Sequence, residues 1–169
     1  MEVNQLPRQD LTDTETGCCP RFDPGPWDGQ EFHFRDQPFV VGRTRSFLHI
    51  PLNMSRMMTR TMAAIRAAEA DSPDQFLVLS YEPSPWRGEH YFWVTREVPG
   101  LENARLTGDF VAKVFEGPFK DAAKWAAEAE RVVKAQGRGL KRLYFYYTTC
   151  PACAKRYGKN YAVAFAQVD

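Results

Sequence analysis

Two glutamates occupy positions where a carboxyl group could take part in acid–base chemistry. Glu82 and Glu116 each end a predicted strand beside aromatic residues and a turn proline. Such surroundings can raise the pKa of a carboxyl group, which makes it a useful general acid or base. If both face one groove, one could polarise a leaving oxygen while the other orients water and Tyr146 donates a hydrogen bond. The alternative is that each is a solvated strand end, since unpaired carboxylates are rarely buried.

A histidine offers a second route to the same chemistry. His49 directly precedes Ile50 and Pro51 at the end of a predicted strand. An imidazole has an ordinary pKa near 6.5 and can act as a base or bind a substrate near neutral pH. The alternative is a structural histidine whose ring is satisfied by its neighbours.

Aromatic side chains are frequent, and several lie where they could line a binding groove. The chain has 12 Phe, 7 Tyr and 4 Trp, and a flat ring with one polar atom suits the binding of a planar organic ligand. The predicted substrate-binding rings are Trp86, Tyr91, Trp93, Tyr144 and Tyr147. The alternative is that these rings pack in the core, as most aromatic residues do.

Four cysteines form two pairs that could meet in a metal site. Cys150 and Cys153 have the CxxC spacing of half a zinc ribbon, and Cys18 with Cys19 could complete a four-thiolate site if the N-terminal arm folds back. The adjacent pair has poor spacing for a zinc ligand set. No cofactor is therefore expected, with zinc as the alternative. Buried, unreactive thiols and a redox pair are the remaining interpretations.

The charge balance limits the classes of partner. Lys plus Arg total 22 against 21 Asp plus Glu, so no global field attracts nucleic acid or a membrane surface. The sequence has no long apolar run and no apolar stretch near its start, which predicts a cytoplasmic protein without membrane association. The motifs GxSxG, HExxH and GxGxxG and the P-loop are absent. A small organic molecule is the expected partner, and the sequence leaves the oligomeric state open.

The hydrophobic pattern predicts the elements that must position these residues. Alternating or continuous apolar runs predict strands, and apolar residues at spacings of three and four predict helices. The predicted strands are 31–36, 43–50, 75–82, 90–98, 109–116, 142–149 and 161–168, and the predicted helices are 54–70 and 119–136. The same order of elements recurs when the sequence is shifted by 66 positions.

These elements predict an α+β fold built from two βαββ units, at about 43–98 and 108–168. The units would pair into one curved antiparallel sheet with both helices on one face. Residues 1–30 are rich in glycine and proline and predict an irregular arm laid over the single domain formed by 31–169. A groove where the two units meet is the expected ligand site.

Three sequence segments resemble those of a known family. The run from Gly108 to Phe119 and the alanine-rich helix after it resemble the second unit of the GyrI-like, effector-binding fold. Closer still is the likeness to a stand-alone bacterial group often described as hydrolases, which carries the motifs CCPRFDP and TTCPxCAKxYGKNY, here Cys18–Pro24 and Thr148–Tyr161.

The resemblance implies binding of a small molecule and, in some relatives, hydrolysis of electrophilic natural products. It therefore suggests a hydrolase with a role in detoxification, or alternatively a module that binds and sequesters a ligand without turnover. Relatives that bind cationic drugs tend to carry a glutamate on the strand after the second helix. This chain has none between Leu143 and Thr148, which argues against a cationic ligand.

Overall fold

The computed structural model describes residues 2–169. Within that range the chain forms seven strands and three α-helices, with one 3-10 turn at Phe119–Asp121 before the second helix. In chain order they are β1 (Glu31–Phe47), β2 (Ile50–Pro51), α1 (Met54–Ala67), β3 (Val78–Ser84), β4 (Arg87–Trp93), β5 (Glu102–Glu116), α2 (Ala122–Ala135), β6 (Leu140–Tyr147), α3 (Pro151–Tyr157) and β7 (Tyr161–Val168). The α+β class predicted from the sequence is therefore present.

The sheet closes on itself into an antiparallel barrel. Six strands follow one another in the order β1–β4–β3–β6–β7–β5, and β5 pairs with β1 to complete the ring. The sequence analysis expected a curved sheet and not its closure. The contact between β3 and β6 is narrow, with Ser80 opposite Phe145 as its one residue pair in register.

The two halves of the chain contribute strands in the same order. The first half gives β1–β4–β3 and the second gives β5–β7–β6, each with a helix after its first strand. This order is the one that two copies of a βαββ unit would give. The origin of the halves by duplication stays a prediction.

The first strand differs from the sequence-based expectation. We predicted separate strands at 31–36 and 43–50, whereas β1 is one strand with an irregularity between Phe34 and Gln37. Asp36 at that point has φ 53°, a left-handed conformation that Asp adopts more readily than most residues. The break in the alternating pattern is therefore a bulge within one strand and not the end of it.

The helices pack on the outside of the barrel. Met57 and Ile65 of α1 are buried against a cluster that includes Val40 and Phe92, and Val133 of α2 packs with Val111, Ala166 and Val168. Helix α1 ends at Ala67, three residues before the predicted end, because Glu69 turns the chain with φ 53°. The short helix α3 was not predicted, since seven residues are too few to show a period.

Aromatic rings fill the barrel interior. This core includes Phe32, Phe34, Phe39, Trp93, Phe110, Tyr144, Tyr146 and Phe165, and the N-terminal arm adds Leu6, Phe22 and Trp27. Trp27 is 1% exposed and its ring lies 5.7 Å from Tyr146 and 6.0 Å from Phe165. Residues 2–30 contain no helix or strand, yet their rings are part of the core.

Candidate functional site

The turn between β1 and β2 is unusually strained. Phe47 pairs with Ile50, so the loop consists of Leu48 and His49 alone. Both have left-handed backbone conformations, with φ 48° and 71°. A two-residue turn of this type normally uses Asn or Gly, because a branched or bulky side chain is disfavoured at positive φ. Backbone strain of this kind occurs often at functional sites.

The strained turn brings His49 to Glu82. The His49 backbone N–H donates to the Pro85 carbonyl at 2.9 Å, which holds the turn against the β3–β4 connection. The His49 Nδ1 atom then lies 2.5 Å from Glu82 Oε2. Both side chains are partly exposed, at 58% and 42%. The sequence predicted both residues as site residues, but it gave no sign that they form a pair.

This pair has the geometry of a base and its orienting group. When Nδ1 carries the proton and donates it to Glu82, the Nε2 atom is left as an acceptor. The carboxylate fixes the tautomer and stabilises the imidazolium that forms when Nε2 takes a proton. The arrangement can therefore activate a water molecule.

Exposed apolar side chains flank His49 in the sequence and occur on the β3–β4 connection. The Phe47 and Trp86 rings lie 5.7 Å apart and are 57% and 50% exposed. We call the exposed set formed by Phe47, Leu48, Ile50, Leu52 and Trp86 the apolar tip. Leu52 also borders an open depression of about 730 Å³ along α1, whose lining includes Arg56 and Arg60. Large apolar residues clustered on a surface indicate a contact site for a ligand or a partner.

Tyr147 lies within electrostatic reach of this site. Burial and the negative charge of Glu82 together raise the pKa of Tyr147 to about 12. Its phenol therefore stays protonated at neutral pH. Its ring lies on the outer side of β6, 5.7 Å from that of Phe145 and 5.8 Å from that of Phe119.

The predicted binding rings of Tyr91, Trp93 and Tyr144, and the predicted hydrogen-bond donor Tyr146, are not at this site. Tyr91, Trp93, Tyr144 and Tyr146 are between 2% and 9% exposed, inside the barrel. Alternate residues of a strand point to opposite faces, so Tyr144 and Tyr146 point inward while Tyr147 points outward. Burial raises the pKa of Tyr146 well above its ordinary value. These four rings pack in the core, and the arm rings of Phe22 and Trp27 lie against Tyr146.

Glu116 lies at another place on the barrel. It ends β5 opposite Tyr161 and borders a shallow depression of about 270 Å³ together with Gly117, Lys159 and Asn160. The structure therefore pairs Glu82 with His49 and not with Glu116. The two glutamates occupy comparable places in the sequence, but the strained Leu48–His49 turn belongs to the first half alone.

The cysteine pairs do come together. The four sulfur atoms of Cys18, Cys19, Cys150 and Cys153 all lie within 4.8 Å of one another. Burial raises the pKa of Cys19. Burial also opposes ionisation of Cys153, but hydrogen bonding with Thr16, Cys150 and Cys19 outweighs it and lowers the pKa of that thiol to about 7.

A second histidine–carboxylate pair lies elsewhere on the surface. His33 Nδ1 is 2.8 Å from Asp109 Oδ1, and Arg35 Nη2 is 2.9 Å from the same oxygen. Hydrogen bonds from His33 and Arg35 lower the pKa of Asp109. His33 Nε2 also lies 3.9 Å from Glu31 Oε2, so this histidine belongs to a charged network that includes Arg35, Asp109 and Glu31.

Fold and site together define a small α+β protein whose antiparallel barrel is filled by rings and which carries a histidine–glutamate pair at its surface. The chain belongs to the Bacterial hydrolase family, whose family model matches residues 9–168. No curated protein matches it. No helix among residues 2–169 is long and apolar enough to cross a membrane.

One solved structure with a similar course of the chain is SAV2435 bound to tetraphenylphosphonium, a small organic ligand. It has a TM-score of 0.48 and 12% sequence identity, over 83% of this chain and 93% of that chain. A likeness of this strength carries no argument about function.

Proposed function

We propose that this chain hydrolyses a small organic compound with an apolar, planar part, and that His49 is its general base. The observation that carries the proposal is the 2.5 Å contact between His49 Nδ1 and Glu82 Oε2 within the exposed apolar tip. Membership of the Bacterial hydrolase family supports it. The wider resemblance to the GyrI-like fold, a cytoplasmic location and a role in detoxification stay predictions.

The reaction needs one activated water molecule. His49 Nε2 takes a proton from water as its oxygen attacks an electrophilic carbon of the substrate, and Glu82 stabilises the resulting imidazolium. The proton then passes from Nε2 to the leaving group, which restores the neutral imidazole. The rings of Phe47 and Trp86 hold the planar part of the substrate against the tip.

The barrel interior has no part in this proposal. Tyr146 was predicted as a hydrogen-bond donor to the substrate, but its 5% exposure places it in the core. Glu116 was predicted as a second catalytic carboxylate, and its position beside Lys159 and Asn160 supplies no partner for His49. The proposed general base is therefore His49, with Glu82 as its positioning residue and Phe47 and Trp86 as binding residues.

Hydrolysis of a neutral aryl ester such as p-nitrophenyl butyrate tests the proposal. We expect His49→Gln to lose at least about 100-fold in rate, since a positioned general base contributes on the order of 100- to 10,000-fold. Glu82→Gln should lose less, because the imidazole stays in place but its imidazolium is less stabilised.

The matched control is His33→Gln, which alters a similar surface pair next to Asp109. This variant should keep the wild-type rate. Equal rates for wild type and His49→Gln, with both proteins folded, would contradict the proposal.

A second candidate function is binding without turnover. The exposed Trp86 ring beside Phe47 favours it, since these rings could hold an apolar ligand with no chemistry at His49. Tryptophan fluorescence that is quenched by aryl compounds, lost in Trp86→Phe and accompanied by no product would support this module. Product formation that depends on His49 would exclude it.

A further inference from the structure

The four cysteines suggest a site independent of the histidine–glutamate pair. We propose that Cys18, Cys19, Cys150 and Cys153 bind one Zn²⁺ ion as a tetrathiolate. The observation is that their four sulfur atoms lie within 4.8 Å of one another. Four sulfurs at about 2.3 Å from a tetrahedral zinc are about 3.8 Å apart, and the Cys18 and Cys19 sulfurs are 3.6 Å apart.

The surroundings of the sulfurs match those of a metal site. The Cys150 backbone N–H points at the Cys19 sulfur from 3.4 Å. The Thr16 hydroxyl lies 3.3 Å from the Cys153 sulfur and also accepts from the backbone N–H groups of Cys18 and Cys19. N–H and O–H groups that point at or lie beside the ligands orient thiolates and moderate their charge.

The segment carrying the first pair is fixed by further contacts. Tyr157 of α3 donates its hydroxyl hydrogen to the Cys19 carbonyl at 2.6 Å. The guanidinium of Arg21 lies 4.5 Å from the centre of the Tyr157 ring. Arg21 and Arg156 both pair with Glu15. The two cysteine pairs are thus held facing each other by contacts that do not use the sulfurs.

The chemistry of the ligand set selects the metal. Four thiolates in a tetrahedral arrangement suit zinc, and an iron site is the other common occupant of such a set. A site with four protein ligands leaves no position for water, so its role is structural and not catalytic. The proton of each thiol is released when zinc binds, and no oxidation is required.

The proposed site links two distant parts of the sequence. Cys18 and Cys19 lie in the N-terminal arm, and Cys150 and Cys153 lie at the start of α3. A few residues beyond the first pair, Phe22 and Trp27 enter the barrel core. Zinc would therefore hold the arm in place over the barrel and stabilise the packing of those rings.

Metal content of the full-length chain, purified under reducing conditions with zinc supplied, tests the inference. We expect one zinc per chain by elemental analysis. Replacing zinc with Co²⁺ should give the thiolate charge-transfer bands and the intense visible bands of a tetrahedral thiolate site. Removal of the metal by a chelator should lower the melting temperature.

Cysteine variants and the oxidation state of the thiols test whether the four sulfurs are the zinc ligands. Cys150→Ser and Cys153→Ser should each lose stoichiometric zinc, and Ser55→Ala on α1 serves as a surface control that retains it. If a cysteine variant does not fold, metal content and cobalt spectra of the wild type still decide the question. A folded, metal-free wild type whose four thiols are shown by thiol titration to be reduced, or bound iron, would overturn the inference. Failure here leaves the aryl-ester test unaffected, since no sulfur takes part in that reaction.

Discussion

A buried histidine should make this protein sensitive to acid in a calculable way. His90 on β4 is 4% exposed. Its Nε2 atom lies 2.9 Å from the Thr44 hydroxyl and its Nδ1 atom 2.8 Å from the Ser80 hydroxyl, so both ring nitrogens are satisfied in the neutral form. Burial lowers the pKa of His90 to about 4.

The sign and size of the effect follow from that shift. An unfolded histidine has a pKa of about 6.5, so between pH 6.5 and 4 the unfolded chain binds a proton that the folded chain does not. The contribution of His90 to the free energy of unfolding is therefore fully present above about pH 6.5, and it decreases as the pH is lowered. The loss due to His90 is about 2 kcal/mol at pH 5 and about 3 kcal/mol below pH 4.

Urea unfolding of the wild type and of His90→Gln at about pH 7.5, 6 and 5 measures this contribution. Gln offers a donor and an acceptor but does not titrate, and all other titrating groups are common to the two proteins. The stability advantage of the wild type should shrink by about 2 kcal/mol between pH 7.5 and 5. A difference between the two proteins that does not change with pH would refute the assignment of a neutral, buried His90.

Three further predictions concern packing and surface charge. Trp27→Ala should lower the free energy of unfolding by about 3–5 kcal/mol, because the ring is buried in the barrel. Urea unfolding measures this change. A loss of less than about 1 kcal/mol would show that the arm is not part of the core. Gly88→Ala should cost about 1–3 kcal/mol and lower the melting temperature, because the new methyl group would overlap the Thr44 hydroxyl. Glu102→Gln removes an exposed pair with Arg43, whose bonds measure 3.0 and 2.8 Å; it should cost under about 1 kcal/mol, and high salt should abolish the difference from wild type.

The sequence predicted helices and strands well where apolar residues recur at a regular spacing along one face of the element. The strand at Tyr161–Val168 has the predicted bounds, and both long helices were predicted from apolar residues at spacings of three and four. Such periods arise because one face of each element is buried. The closure of the sheet could not be predicted, since it depends on pairing between β1 and β5, which are far apart in the sequence.

The sequence analysis named the residues of the candidate site one by one, but not as a group. His49, Glu82 and Trp86 were all named, yet their meeting depends on a two-residue turn of Leu48 and His49 that no turn rule selects. The inward placement of Tyr144 and Tyr146 depends on which face of β6 lines the barrel. Strand alternation groups such residues on one side but does not say whether that side is filled.

The meeting of the four cysteines was also not predictable from the sequence alone. The adjacent cysteines looked poorly spaced for one ligand set, because the sequence does not show how the arm runs across the start of α3. Thr16, which lies beside the Cys153 sulfur, carried no sequence signal, and Tyr157 appeared in the motif TTCPxCAKxYGKNY without any sign that it contacts the arm. Their contacts join the arm to α3, so they can be recognised only in the folded structure.

The position of Trp27 has a consequence for how the chain reaches its native state. Its partners Tyr146 and Phe165 come from the last quarter of the chain, whereas Trp27 is made near the beginning. During synthesis the arm is therefore made before β6 and β7, so Trp27 reaches its native packing only after those strands have been made. Contacts between residues so far apart in the sequence slow folding, because a long loop must close before they can form.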